Sequence, residues 1–214
     1  MCKYKYILFD WNGTILDDLM INIEIETCLL EKRGLPDIES VDFYLDNFGF
    51  PIIDFYKKVG FDFTTEKYED VAAEYATAYE KRLSTATLFS DAEKAFVQLK
   101  KYGAKLVIIS ATEDSVLKKQ FKAYGVGKYF ESVLGSSDNL GKSKVQTAVD
   151  WLRNENAKPE EALFIGDTVH DFETAKAIGC DCILVSRGHN SKRRLLETGC
   201  EVLESLTELT SRLK

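Results

Sequence analysis

Apolar residues along this chain come in two rhythms, and the change from one to the other divides it. Tyr4–Asp10 (YKYILFD) is a short, largely apolar run that predicts a strand, and Trp11-Asn12-Gly13-Thr14 follows as a polar turn. Over roughly the next seventy residues no comparable strand occurs. Leu16, Leu19, Met20, Ile23, Thr27 and Leu30 recur at helical spacing, and Gly34 and Pro36 supply a stop. A second helix is expected over 65–83, with Tyr68, Val71, Ala72, Tyr75, Ala76 and Tyr79 on one stripe and Thr64 or Thr65 as its cap.

From about Ser90 helix and strand alternate. The pattern predicts helices over 91–102, 114–124, 144–154 and 172–178. Strands are predicted at 105–110 (KLVIIS), near 132–134, at 162–167 (ALFIGD) and at 182–186 (CILVS). Strands separated by helices of this length form βαβ crossovers, and these build a parallel sheet covered on both faces. The expected fold is therefore α/β, a doubly wound Rossmann-like parallel sheet formed by residues 1–15 and 86–214. An all-helical insert is expected at 16–85.

Composition narrows the function classes. The 214 residues carry 35 acidic and 28 basic side chains, a net charge of −7, which weighs against a nucleic-acid partner. One positive site for a small anion is compatible with that balance. The apolar runs are too short to span a membrane, and the start of the chain lacks the apolar core of a secretory signal. The five cysteines are scattered without a Cys-x-x-Cys pair, so reduced, mostly buried thiols in a cytoplasmic protein are expected.

Chemistry collects at the strand ends, where open α/β sheets bind ligands. The first strand ends in Asp10, a later one in Ser110, and another in Gly166-Asp167-Thr168-Val169-His170-Asp171; Lys144 or Lys142 stands at a helix start. A strand-end aspartate can attack phosphorus once the substrate's negative charge is neutralised. Magnesium held by oxygen ligands and a lysine on the other side can do that.

FDWNGT at 9–14, IIS at 108–110, the lysine of GKSKV at 141–145 and IGDTVHD at 165–171 resemble the four ordered motifs of the haloacid dehalogenase superfamily. The nearest subgroup in resemblance is the phosphoglycolate phosphatase-like hydrolases, and the insert falls where many members carry a helical cap. The resemblance implies that Asp10 is the nucleophile forming an aspartyl-phosphate. It implies Mg²⁺ on Asp10, Asp167 and the Asn12 backbone carbonyl, with Asp171 orienting the metal's water or the lysine. Gly13, Thr14, Ser110, Ala111 and Lys144 would hold the substrate. Lys144 is preferred to Lys142 because Val145, Ala148, Val149 and Leu152 continue from it as an amphipathic helix. The implied reaction is Mg²⁺-dependent hydrolysis of a small phosphorylated metabolite by a cytoplasmic monomer or homodimer.

One residue departs from the pattern. Most phosphatases of the family have a second aspartate two positions after the nucleophile, where this chain has Asn12. An amide cannot deliver a proton to a departing alkoxide, and the loss of a general acid typically costs about 10²–10⁴ in rate. A slow phosphatase is therefore expected. A carbon–phosphorus bond hydrolase is one alternative, with Lys57 or Lys58 as the Schiff-base lysine; a non-catalytic phosphate-binding regulator is another. His170 is expected to face solvent and His189 to cap a turn. The eight aromatic residues from Phe43 to Phe63 are expected to form the insert's core, with Phe50 a candidate for the pocket.

Overall fold

The computed structural model describes residues 3–137 and 144–214. In chain order, β1 (Tyr6–Phe9) leads through a tight turn to β2 (Leu16–Asp17). Four helices follow: α1 (Leu19–Glu31), α2 (Val41–Asn47), α3 (Ile52–Lys58) and α4 (Tyr68–Arg82). The chain returns through β3 (Thr87–Leu88) to α5 (Ala92–Lys101), β4 (Lys105–Glu113), α6 (Asp114–Tyr124) and β5 (Phe130–Ser136). Next come α7 (Lys144–Asn154), β6 (Ala162–Gly166), α8 (Val169–Ile178) and β7 (Asp181–Val185). It ends in α9 (Lys192–Glu197), β8 (Glu201–Leu203) and α10 (Leu206–Arg212).

Six strands form one parallel sheet in the order β5-β4-β1-β6-β7-β8. The central strands β1, β4 and β6 are apolar on both faces, so alternate residues serve two different cores. Ile7, Phe9, Leu106, Ile108, Leu163 and Ile165 pack with α5, α6 and α10. Tyr6, Leu8, Val107, Ile109 and Phe164 pack with α7 and α8. The chain leaves β1 for β4 on one side and reaches β6 on the other, so the crevice at the carboxyl end of β1 is the switch point where such sheets take ligands.

The helical segment has its own core: Ile25, Leu29, Leu30, Tyr56, Phe61, Val71 and Tyr79. Its two ends are tied by an antiparallel ribbon of β2 and β3, a pairing too short to register in the hydrophobic pattern. The predicted stripe of α1 is only partly the buried one. Met20 is exposed, Leu16 lies in β2, and the inward positions are Asn22, Ile25, Glu26, Leu29 and Leu30. Apolar residues surround this helix, so their spacing does not reveal that two polar residues share the inner face.

The expected cap of α4 also shifts. Asp62 accepts from the Thr64 amide and hydroxyl in a local turn, and the helix begins three residues later, at Tyr68, with Lys67 as its N-cap residue. Helix α8 begins at Val169 rather than Phe172, because Thr168 and Asp171 form a reciprocal capping box. Of the cysteines described, Cys28 is exposed and Cys180, Cys182 and Cys200 are half-buried, all free, rather than mostly buried.

Candidate active site

Asp10 follows β1 directly, and its amide donates to the Ile165 carbonyl at 2.8 Å, fixing it beside the end of β6. Asp167 follows β6, and Lys144 is the first residue of α7. Lys144 Nζ lies 2.5 Å from Asp10 Oδ1 and 2.5 Å from Asp171 Oδ1, with all three side chains buried. Lys142 lies outside the described residues. Asp171 Oδ2 accepts from the amides of Asp167 and Thr168 and from the Thr168 hydroxyl, so the α8 cap also locks the lysine's partner.

The turn after Asp10 is shaped around Asp167. Gly13 has φ +69°, and a Cβ there would lie 2.4 Å from Asp167 Oδ2; a Cβ on Gly188 would lie 2.1 Å from the same atom. Thr14 Oγ1 donates to Asp167 Oδ1 at 2.7 Å, and the His189 amide donates to Oδ2 at 2.6 Å. Gly13 donates its amide to Asp18. Gly13 and Thr14, expected to hold substrate, thus direct these groups to the scaffold. Ser110 and Ala111 line the cavity, in the stretch of β4 where its register with β5 shifts.

Burial pushes the Asp10 carboxyl up to about 8; Lys144 opposes this, while Asp171 and Asp167 repel it further. Asp167 rises to about 6 for the same first reason, with His189 opposing and Asp171 adding repulsion. For Lys144, burial favours the neutral amine, but Asp10 and Asp171 outweigh it and hold the ammonium charged well above the ordinary lysine range. Asp10, Asp167 and Asp171 each offer a carboxylate oxygen within 4.8 Å of the others. Three buried carboxylates against one lysine form an oxygen-rich, negative pocket that suits a hard divalent cation such as Mg²⁺.

Millimolar Mg²⁺ should therefore raise Tm in differential scanning fluorimetry, by roughly 5–10 °C at a hundredfold excess over Kd. Protons compete for the same oxygens. With Asp167 near 6 and Asp10 near 8, the gain should grow as pH rises through that range and fade below it. Asp167→Asn should lose most of it.

Asn12 is gripped on every side. Its Nδ2 donates to Asp18 Oδ2 and to the Tyr79 hydroxyl, both at 2.8 Å, and its Oδ1 accepts from Thr112 Oγ1 at 2.8 Å. Asp18 is itself fully buried, with Tyr79, Asn22, the Gly13 amide and His189 Nε2 around it. Burial would raise Asp18, but His189, Tyr79 and Asn12 together lower it. Burial works against a charged His189, yet Asp18 first and Asp167 next lift it to about 9.

His189 therefore stands as a buried cation beside Asp18 and does not merely cap a turn. His170 is also not a freely exposed residue: its ring stacks on Phe50 at 4.4 Å. The sequence reading missed Asp18, Tyr79 and Thr112 as partners of Asn12, and no motif spacing marks them.

These residues open onto a cavity of about 300 Å³ between the sheet edge and the helical segment. Phe48 and Phe50 line it, and their loop is pinned to the loop after β7 and to α9: Asn190 Nδ2 and Arg194 Nη1 both donate to the Phe48 carbonyl. The stripe expected on α4 faces it through Tyr68, Ala72, Tyr75, Ala76 and Tyr79. Lys57 and Lys58 are exposed and lie outside it, so neither Schiff-base candidate lines the cavity; the lysine that does, among the described residues, is Lys144, held by Asp10 and Asp171.

Deeper among the helices, Glu26 also lines the cavity and is 2% exposed. Burial raises its carboxyl to about 8, slightly offset by a hydrogen bond from Tyr56. The folded chain thus binds a proton at Glu26 that the unfolded chain, near 4.5, has released. That contribution to stability is present in acid and lost as pH rises from about 4.5 to 8. Between pH 5 and 8 the Tm of Glu26→Gln should fall less than that of the parent, by on the order of 10 °C in thermal melts.

A family model for haloacid dehalogenase-like hydrolase matches residues 7–185. Phosphoglycolate phosphatase of Pseudomonas fluorescens is 25% identical over 202 residues, covering 90% of this chain and 73% of that one. Among solved structures, a haloacid dehalogenase-like hydrolase from Streptococcus pneumoniae superposes with a TM-score of 0.85 at 20% identity, covering 99% of each chain. Protein tyrosine kinase A of Mycobacterium tuberculosis reaches 0.82 at 22% identity, covering 99% of this chain and 98% of its own, so the fold alone does not fix the phosphoryl acceptor. With the family model spanning the strand-end carboxylates and most of the sheet, the chain belongs to the haloacid dehalogenase-like hydrolases.

Proposed function

We propose that this protein is a phosphatase that hydrolyses a small phosphorylated metabolite through an aspartyl-phosphate on Asp10. The observation that carries the reading is the pairing of a buried strand-end carboxylate with Lys144 at 2.5 Å, beside two further carboxylates at the switch point of the sheet. Asp10, Asp167 and the Asn12 backbone carbonyl would hold Mg²⁺, with Asp171 fixing the lysine. When bound, the ion would withdraw charge from the phosphoryl oxygens.

The chain's own groups set the rest of the reaction. Lys144 holds a phosphoryl oxygen, and Ser110 donates a hydrogen bond to another. The Asp10 carboxylate attacks phosphorus, the bond from phosphorus to the ester oxygen breaks, and that oxygen leaves with the electron pair. Water then attacks the phosphorus of the acyl phosphate, releasing inorganic phosphate and the Asp10 carboxylate. Asn12, whose amide hydrogens go to Asp18 and Tyr79, cannot protonate the leaving oxygen, so turnover of unactivated alkyl esters is slow.

Residues 16–85 act as a cap over a core formed by 1–15 and 86–214. The ribbon of β2 and β3 and the pinned Phe48 loop support that division. A cap of this kind selects substrates and excludes water. The test is a burst assay with p-nitrophenyl phosphate in Mg²⁺ and in EDTA, with intact-mass detection of a phosphorylated chain. Equal rates in both media, or a burst without a covalent phosphoryl group, would overturn the mechanism.

A further inference from the structure

The part of the cavity away from the sheet edge has a chemistry that suits one class of leaving group. Glu26 Oε1 accepts from the Tyr56 hydroxyl at 3.2 Å, while Oε2 is buried with no hydrogen-bond partner among the described residues. A buried carboxyl that keeps its proton for want of a partner is costly, and its retention points to a ligand that supplies a donor or a positive charge as that proton leaves. Tyr56, Tyr68, Tyr75, Phe48 and Phe50 line the same space.

Charge sorts along the cavity. Among the described residues, its cations, Lys144 and His189, are both engaged by carboxylates at the sheet edge. The helical side contributes Glu26, and Glu80 and Glu113 also line the cavity. The Glu113 carboxylate caps α6 through the Ser115 and Val116 amides. A leaving group bearing a carboxylate, as in phosphoglycolate, would find no unengaged cation among the described residues that line this space. One bearing a positive nitrogen would displace the Glu26 proton and so meet a counter-ion and aromatic faces, the arrangement that receives desolvated ammonium groups. About 300 Å³ is at the small end of ligand sites, enough for a compact ester.

We propose that the substrate is a phosphate monoester whose alcohol carries an ammonium group, primary or quaternary, with Glu26 as its counter-ion and the surrounding rings as its cage. This rests on the phosphatase reading of the same cavity and adds the substrate class to it.

The test compares phosphocholine and phosphoethanolamine with 3,3-dimethylbutyl phosphate, the uncharged isostere of phosphocholine, and with phosphoglycolate, using the full chain and Mg²⁺. The kcat/KM for at least one ammonium ester should exceed that for the isostere by about tenfold or more, with phosphoglycolate poorer still. In Glu26→Gln the ratio of ammonium ester to isostere should collapse to within about twofold, a loss of the magnitude expected for one charge-assisted contact. Choline alone, titrated calorimetrically, should bind the parent chain and not the variant.

Equal rates for phosphocholine, phosphoethanolamine and the isostere overturn the proposal. So does a preference for phosphoglycolate, or a ratio that survives Glu26→Gln. Failure to hydrolyse even p-nitrophenyl phosphate would sink the phosphatase reading instead, and the choline titration would then decide the cation site by itself. Turnover of p-nitrophenyl phosphate without choline binding or ammonium preference would sink this proposal alone.

Discussion

Asp10→Asn is expected to abolish turnover, by about 10⁴–10⁶-fold, while leaving the chain folded. The exchange is nearly isosteric. It removes the oxygen that would attack phosphorus and keeps an oxygen able to accept from Lys144, which also retains Asp171 at 2.5 Å. One buried carboxylate of three is lost, so self-repulsion in the pocket falls. The sign of the stability change follows from the Asp10 carboxyl, pushed up to about 8 by burial. In the metal-free parent, its contribution is present below about pH 4 and lost as pH rises towards 8. The variant lacks that loss and should melt higher than the metal-free parent at pH 8, with little difference near pH 4. Intact-mass analysis should find no phosphorylated variant after mixing with an acyl phosphate. Residual turnover above about one per cent, with the same burst, would assign the nucleophile elsewhere.

What the sequence revealed and what it hid follow from how each residue earns its place. Asp10 and Asp167 stand where apolar runs stop, and a carboxylate ending a buried strand has few structural reasons to be there. Lys144 was placed by the amphipathic pattern of the helix it opens. The alternation of helix and strand also reported the parallel sheet, since its central strands are apolar on both faces.

Asp18, His189 and Glu26 left no comparable trace. Each is a polar residue buried by contacts far away in sequence: Asp18 Oδ1 lies 3.2 Å from His189 Nε2, and Glu26 meets Tyr56 across two helices. Periodicity reports which face is apolar, not which polar residue an apolar face conceals. Short elements were lost for another reason. Helices α2, α3, α9 and α10 have six or seven residues, and β8 has three, too few turns or pleats for a period to repeat. The extension of β4 to Glu113 was hidden by Ala111-Thr112-Glu113, which carries no strand pattern and pairs through an irregular register.

The neighbours of Asn12 change what its replacement by aspartate should do. Considered alone, a carboxyl at position 12 restores the missing acid and should speed phosphorylation from alkyl esters. Yet Asn12 Nδ2 donates to Asp18 Oδ2 at 2.8 Å, and the substituted carboxyl would set an oxygen against that oxygen inside a buried site. Two carboxylates so placed cannot both ionise, so they would share a proton held between them and turned from the leaving group. Asn12→Asp by itself should therefore gain less than about tenfold and lose stability. Exchanging the pair, Asn12→Asp with Asp18→Asn, keeps the net charge. The new amide at 18 can donate to the carboxyl at 12 and offer its oxygen to the Gly13 amide and His189, the partners that Asp18 Oδ1 has now. The carboxyl at 12 is then free to carry a proton to the ester oxygen. The exchange should raise the phosphorylation rate of an alkyl phosphate by up to about 10²-fold and that of p-nitrophenyl phosphate little, because nitrophenolate leaves without a proton. Rapid-quench measurement of the phosphoenzyme on the two esters separates this step from hydrolysis of the intermediate. Equal acceleration of both esters, or none for the alkyl ester in a folded double variant, would show that position 12 does not limit the reaction through its proton.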